Sequence, residues 1–346
     1  MVDAGTSRTR VRLWHHERIV DEVEERVGAK DVALVGDPAP IADALRRLVA
    51  ELGSRHRASP EALVCSGMIT SNVGLVEVPH VTAPIGLREL GRQLVRHDLP
   101  DVTPLPVYFV PGVKTMCGAA RGTSGAAGAP SGAARATIGW DDLAAFDVMR
   151  GEEVEVVGLL ATLPLSLPVA FFHCGSHHKL IEVAAGDKRG DAVVLRSSTA
   201  ITGELLAAIR ERTILASSLS DLDGLTPDPD AVAAGVARAR EVGFARAAFL
   251  VRVGQTIAGM GRDGVTSFLL GALLALDLQL LESELAPDRE LVVYGGGVFP
   301  GLLHDALKAA GRPVRRVEAA DADRSAVVGA VHLLEAFLHA ERGVHA

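Results

Sequence analysis

Aromatic residues are scarce in this chain: two tryptophans, two tyrosines and nine phenylalanines among 346 residues. Its cores must be built from alanine, valine and leucine, and an apolar content of 48% supplies enough of them. Cysteine is scarcer still. The three, Cys65, Cys117 and Cys174, are odd in number, far apart and outside any CxxC pattern, which argues against a disulfide framework and a structural zinc site. Positive charge is not in excess. Thirty-five lysines and arginines against 43 aspartates and glutamates leave a net charge of −8, which speaks against a nucleic-acid partner held by phosphate neutralisation. Long apolar runs are missing too. The longest, Phe268 to Leu281, is interrupted by Asp277 and Gln279 and reads as a buried helix, so no membrane partner is expected. With chemistry-bearing residues starting at Asp3, no leader peptide precedes them and the chain reads as cytoplasmic. There is no GxxxxGK[ST] sequence, hence no P-loop. Gly259-x-Gly261-x-x-Gly264 has the spacing of a dinucleotide fingerprint but follows a helical stretch instead of a strand. Nothing in the sequence fixes an oligomeric state.

The length suits two domains, and the proline-broken stretch Pro164–Pro168 reads as their junction, giving domains 1–165 and 166–346. Val11–Trp14 and Ile19–Val23 read as a hairpin, and Pro40–Leu52 as a helix with an Ile41, Leu45, Leu48, Val49 stripe. Leu63–Ser66 and Val107–Val110 read as strands. Gly118–Ala136, "GAARGTSGAAGAPSGAARA", cannot bury enough apolar surface to order itself and is expected to be a flexible loop. Arg150–Leu160 reads as a helix, Val169–His173 and Lys179–Val183 as two strands, Asp230–Val253 as one Ala-rich helix, Leu291–Tyr294 as a strand and Ser325–His339 as a final helix.

Four clusters stand out. Asp3-x-Gly5-Thr6-Ser7, followed by Arg8, is a glycine–hydroxyl turn that can aim backbone N–H groups and hydroxyls at a phosphate, with an aspartate able to hold magnesium through water. Gly175-Ser176-His177-His178-Lys179 repeats that logic between two strands and adds a lysine charge. Neighbouring histidines on a hairpin point to opposite faces, so Cys174, His177 and His178 are a poor metal set. Gly295-Gly296-Gly297 lies between a strand and a helix, where bare backbone can receive a flat ligand. Arg150-Gly151-Glu152-Glu153 opens a helix, and a carboxylate there can take a proton from a hydroxyl. Each alone also reads as an ordinary turn, close strand–helix packing or a charged helix start.

Their order is more telling. A DxGTS hairpin, a helix-borne carboxylate, a second glycine–hydroxyl hairpin and a triple glycine resemble the phosphate-1, catalytic, phosphate-2 and adenosine motifs of the actin/hexokinase-type kinases. Within that superfamily, "SGMITS", "VEVPHVTAP", "VPGV", "DVMRGEEVEVVGLL", "GSHHK", "TAITGELLAAI" and "GGGVFPGLL" resemble the 2-dehydro-3-deoxygalactonokinase family over nearly the whole chain. The resemblance implies an α/β, two-domain actin/hexokinase-like (ribonuclease H-like) fold with its active site in the interdomain cleft. It implies transfer of the γ-phosphoryl group of ATP, with Mg2+, to the 6-hydroxyl of 2-dehydro-3-deoxy-D-galactonate in galactonate catabolism, a small-molecule substrate. It puts Asp3, Gly5, Thr6, Ser7, Arg8, Gly175, Ser176 and Lys179 at the phosphates and metal, and Gly295, Gly296 and Gly297 at the adenosine. Met68, Ser71, Asn72, Arg150, Thr202 and Glu204 fall to the acceptor. Glu152 is the expected base, because "RGEEVEVVGL" resembles the "GDQQAALFG" helix start of related sugar kinases, and Asp147 is the second choice.

Two departures bear on the acceptor. Asn72 stands where the family usually has an arginine and Leu75 where it has a tryptophan, so another sugar or sugar acid, or a non-catalytic nucleotide-binding paralogue, stays open. Arg150 or Arg88 could supply the missing cation. Finally, only Met1 and Val2 precede Asp3, whereas a strand normally runs five or six residues. Either an upstream start or a stub of a first strand is expected.

Overall fold

A computed structural model describes residues 1–56, 60–116, 138–187 and 191–344. The Gly/Ala-rich stretch Gly118–Ala136 lies outside the described residues. The chain packs as two compact units: Met1–Pro168 with Ile181–Ser198 and Ala320–Ala346, and Val169–Leu180 with Thr199–Ala319. The sequence reads with one break after residue 165, whereas the chain returns to the first unit twice.

The first unit opens with β1 (Val2–Ala4), β2 (Thr9–His15), β3 (Arg18–Glu25), α1 (Ala29–Val35), α2 (Ala39–His56) and β4 (Leu63–Gly67). It continues through β5 (Val81–Thr82), β6 (Ile85–Gly86), α3 (Leu87–Arg92), β7 (Val95–Asp98), β8 (Pro106–Phe109), β9 (Val113–Met116), β10 (Phe146–Met149) and α4 (Glu152–Thr162). Its main sheet has the order β3-β2-β1-β4-β8-β7. The two-residue β2–β3 turn holds His16 and Glu17 at φ 48° and 58°, the backbone of a hairpin turn whose twist matches its strands. β1 lies antiparallel to β2 and parallel to β4, pairing Val2 with Val11 and Cys65. Val2, Ala4, Ile41, Leu45, Leu48 and Phe109 are buried together in the core on this sheet. A smaller sheet has the order β10-β9-β5.

β1 is only three residues long. Beyond its N-terminal end, β2 continues to His15 and β4 begins at Leu63. A cavity of about 900 Å³ occupies this end of the sheet, lined by Met1, Leu13, Trp14, Leu63, Val64 and Leu334 among others. The Met1 ammonium is buried there and donates to the Arg12 carbonyl at 2.8 Å.

The chain goes on through β11 (Val169–Cys174), β12 (His178–Ala185), β13 (Ala192–Ala200), α5 (Thr202–Arg212), α6 (Pro229–Val242), α7 (Phe244–Thr256), α8 (Arg262–Glu284), β14 (Leu291–Gly295), α9 (Phe299–Ala309) and β15 (Val314–Arg316). In the second unit β11, β14 and β15 form a parallel sheet, with β14 central to the three. α8 is apolar on nearly every side because it runs through the core, with Leu269, Leu270, Leu273, Leu274 and Leu281 buried. It meets α6 backbone to backbone: a Cβ on Gly235 would lie 2.0 Å from the Phe268 carbonyl, and one on Gly271 2.0 Å from that of Val232. The single helix expected over Asp230–Val253 is two, because Gly243 at φ 79° ends α6 and starts α7.

The last helix, α10 (Ala319–Val344), packs almost entirely within the first unit. A Cβ on Gly158 of α4 would stand 1.7 Å from the Ser325 carbonyl, and one on Gly329 1.9 Å from that of Val154. These glycines let the two helices touch.

Candidate active site

In the first unit the chemistry gathers where β1 and β4 end. Along β1 Val2 and Ala4 point into the core and Asp3 emerges between Arg10 and Ser66 on the flanking strands. Gly67 ends β4 at φ 80°, and a Cβ there would lie 2.7 Å from the Ala4 carbonyl and 3.1 Å from Asp3 Oδ1. Gly151 takes φ 114°, and its Cβ would sit 3.3 Å from the Gly67 Cα. Two glycines in the left-handed region thus bring the first turn of α4 against the end of β1, with Glu152 its first residue.

The helix starts at Glu152, two residues later than the sequence suggests, since Arg150 and Gly151 form the bend into it. Glu152 Oε2 accepts the Arg150 N–H at 3.1 Å. Glu153 is fully buried and accepts the Gly151 N–H at 2.8 Å. Burial, with the charge of Glu152 beside it, pushes the Glu153 carboxyl up to about 8.

The turn after β1 is braced by α1. Gly5 N–H donates to the Arg8 carbonyl at 2.9 Å, and the N–H groups of Ala29 and Lys30 donate to the carbonyls of Gly5 and Thr6. Gly28 is obligatory, because a Cβ would lie 2.6 Å from Ser7 N. The exposed Thr6 and Ser7 hydroxyls have no hydrogen-bond partner among the described residues. Arg8 pairs with Glu24 at 3.1 Å, at the rim.

Arg150 does not have the freedom assigned to it as a substrate cation. Its guanidinium donates to the Thr70 carbonyl at 2.5 Å and the Val78 carbonyl at 3.0 Å, bonds the Thr70 hydroxyl, and meets the His80 ring at 3.2 Å. Burial and the Arg150 charge lower His80 to about 4, leaving it neutral against the guanidinium. Arg150 therefore ties loop 68–80 to the start of α4. Within that loop Ser71 donates to the Met68 carbonyl at 2.7 Å, so its hydroxyl serves the turn, whereas Asn72 is exposed. Arg88 lines a separate cavity of about 410 Å³ with Asp191 and His332. Asp147 accepts the Ser197 hydroxyl at 2.5 Å, and Ser197 N–H donates to Thr115 Oγ1 at 2.8 Å, which makes Asp147 a strand-to-strand tie.

In the second unit β11 and β14 run parallel with Cys174 beside Gly295, and both end there. Loops at the carboxyl ends of parallel strands are where α/β folds bind ligands. Gly295 takes φ 119°, its Cβ would lie 2.2 Å from the Cys174 carbonyl, and Gly296 N–H donates to that carbonyl at 3.1 Å. Around Gly296 and Gly297 a Cβ would meet nothing within 4 Å, so this stretch has an open face. The turn Gly175–His177 lies beside it and is clasped by α5: Glu204 N–H donates to the Ser176 carbonyl at 2.7 Å, and His177 meets Glu204 at 3.0 Å. A Cβ on Gly203 would stand 2.0 Å from the Gly175 carbonyl. The triple glycine leads into α9, and Phe299 at its start packs on His178 with ring centroids 4.8 Å apart. Backbone donors at the starts of α5 and α9 suit an anion.

Two residues assigned to ligands are spent elsewhere. Lys179 is buried in β12 and its ammonium donates to Thr199 Oγ1 at 2.6 Å, because strand alternation turns it away from the tip. Thr202 is buried and its hydroxyl donates to Asp277 Oδ1 at 2.7 Å. Asp277 escaped the sequence reading as a site residue, although an acid interrupting an apolar run must be partnered when buried. Gly67 escaped it too, and Glu153 was seen only as a neighbour of Glu152 in a charged helix start.

The chain is similar to several known proteins. A family profile for 2-keto-3-deoxy-galactonokinase matches residues 3–122 and 138–331. The 2-dehydro-3-deoxygalactonokinase of Escherichia coli (strain K12) is 23% identical over 332 residues, 96% of each chain. A Sinorhizobium meliloti protein proposed to be a 2-dehydro-3-deoxygalactonokinase has a similar crystal structure, with a TM-score of 0.71, 24% identity and 97% of each chain covered. The activator of the 2-hydroxyisocaproyl-CoA dehydratase from Clostridium difficile, solved with bound ADPNP, matches at a TM-score of 0.50 and 10% identity, covering 99% of this chain and 96% of its own.

Proposed function

Because the chain belongs to the 2-keto-3-deoxy-galactonokinase family, we propose that it phosphorylates the 6-hydroxyl of 2-dehydro-3-deoxy-D-galactonate with ATP and magnesium, in the breakdown of galactonate. It is a sugar-acid kinase, a phosphotransferase acting on an alcohol group, with the actin/hexokinase-like fold. We assign the reaction to the cytoplasm, where ATP is available. The observation that carries the proposal is the meeting of Asp3 and the first turn of α4 across Gly67 and Gly151.

Glu152 is positioned as the group that takes the proton of the acceptor hydroxyl, held at a helix start by a local hydrogen bond. Asp3 is the carboxylate for magnesium. Among the described residues no group of three or more His, Cys, Asp or Glu side chains could hold a metal. A magnesium ion there would be held by Asp3 together with waters and phosphate oxygens, and would offset phosphate charge. The turn after β1 offers the Thr6 and Ser7 hydroxyls, and the turn Gly175–His177 with the starts of α5 and α9 offers backbone N–H groups to phosphate. Gly296 and Gly297 leave room for the adenosine. The protein's part in such a step is placement and charge, since phosphoryl transfer needs little covalent help.

A second reading keeps the kinase and changes the acceptor. It is favoured by the exposed Asn72 together with an Arg150 already spent on its own loop. ADP release measured over a panel of aldonic, 2-oxo-3-deoxy-aldonic and neutral sugars decides between them. Turnover on 2-dehydro-3-deoxygalactonate well above the others is expected. Turnover confined to a different acceptor establishes the second reading, and nucleotide binding without turnover on any acceptor removes both.

A further inference from the structure

Asp277 is a buried carboxylate in the middle of α8, with its side chain 1% exposed. Both oxygens are used. Oδ2 lies 2.7 Å from His178 Nδ1, and Oδ1 accepts the Thr202 hydroxyl at 2.7 Å. Its two partners belong to different elements. His178 is the first residue of β12, directly after the turn Gly175–His177, and Thr202 is the first residue of α5.

Those elements already touch. The Gly203 backbone presses on the Gly175 carbonyl, and Glu204 N–H donates to the Ser176 carbonyl. One carboxylate therefore pins the far side of the turn and the near end of the helix to the same point of α8. The His178 ring is fully buried, edge-on to Phe172 and Phe299 at 6.0 and 4.8 Å, so it cannot swing to another partner. Among the described residues its Nε2 has no hydrogen-bond partner, so the bond to Asp277 is the polar contact that orients the imidazole. A fold built for packing alone would place a leucine at 277, as α8 does at 273, 274, 278 and 281.

We propose that Asp277 is a positioning residue for nucleotide binding: through His178 and Thr202 it fixes the aim of the backbone N–H groups in the turn Gly175–His177 and at the start of α5. Asp277 does not touch the ligand. The inference rests on the reading of this turn as a phosphate site.

The test uses the full chain and ADP as probe, with ADP affinity by calorimetry, KM for ATP, KM for the sugar acid, kcat and a thermal melt. Asp277→Asn keeps the shape but offers a single acceptor to two donors. Thr202→Val removes one donor at constant volume, and Thr202→Ser restores the hydroxyl. ADP affinity and KM for ATP should worsen about tenfold in Asp277→Asn and Thr202→Val, the scale of one hydrogen bond to a charged group. KM for the sugar acid should stay within about twofold, and Thr202→Ser should recover most of the loss. If Thr202→Val and Asp277→Asn melt earlier but bind ADP as tightly as the parent, the carboxylate only holds the fold and the inference is overturned. If the parent itself binds no ADP, the nucleotide reading fails and the inference fails with it.

Discussion

Glu152 and Glu153 are adjacent acids with opposite fates, and the difference is testable at the level of single atoms. Glu152 opens α4 beside Gly151, while Glu153 points into the core. Glu152→Gln keeps the size and the acceptor for Arg150 N–H but cannot take a proton. Turnover should fall roughly a hundredfold to ten-thousandfold with ADP affinity retained. An Asp147→Asn variant that is crippled while Glu152→Gln works would move the base to Asp147. For Glu153 the prediction concerns stability. Its pKa rises from 4.5 to about 8 on folding, so between those values the folded state holds the proton that the unfolded state has lost. Stability then falls as pH rises through this window, by up to about 1.4 kcal/mol per pH unit. Glu153→Gln removes that slope. In urea melts the variant should gain on the parent steadily from pH 5 to pH 8, and a constant difference across that range would show the acid to be ionised when folded. Residues such as these were visible in sequence as a pair but not as a contrast, because burial depends on which face of α4 meets α10.

Elements made by local chemistry were legible. The turns after β1 and β11 announce themselves through glycine and hydroxyl residues, and α9 through the triple glycine before it. What was not legible depends on distant partners. Arg150 looked available to a substrate until loop 68–80 closed over it, and Thr202 until α8, 75 residues further on, presented Asp277. β1 spans only three residues. The cavity of about 900 Å³ beside Met1 lies between the continuing edges of β2 and β4, and burial lowers the Met1 ammonium to about 6 from 8.0. The lowered value means the unfolded chain holds more protons between pH 6 and 8, so this group's penalty is full below 6 and vanishes above 8. An engineered extension of four apolar strand-forming residues ahead of Met1 replaces the charge with an amide and fills the gap. It should raise the melting temperature, with a larger gain at pH 6 than at pH 8. The same extension carrying lysines at the inward positions should give no gain, and equal gains from both versions would rule out strand insertion.

The division of the whole molecule is the least local property, and sequence order misled most here. α10 reads correctly as a helix at the end of the chain, but its place is in the first unit, set by contacts that no window of sequence contains. Gly158 and Gly329 let it lie against α4, Phe337 packs edge-on to Tyr108 at 5.5 Å, and Asp323 reaches the buried Arg12 at 2.7 Å. Val327, Ala330 and Leu333 are buried along the same helix. Ending the chain at Ala319 therefore uncovers an apolar face of the first unit and takes away one of Arg12's two acids, leaving Glu22. The expected result is selective: amide hydrogens in β1, β4 and α4 should lose protection by several orders of magnitude in exchange rate, while those of β11, β14 and α8 keep most of theirs. A truncated chain in which β1 and β4 stay as protected as in the parent would show that the first unit closes its core without α10. Uniform loss across both sets would show that the two units unfold as one.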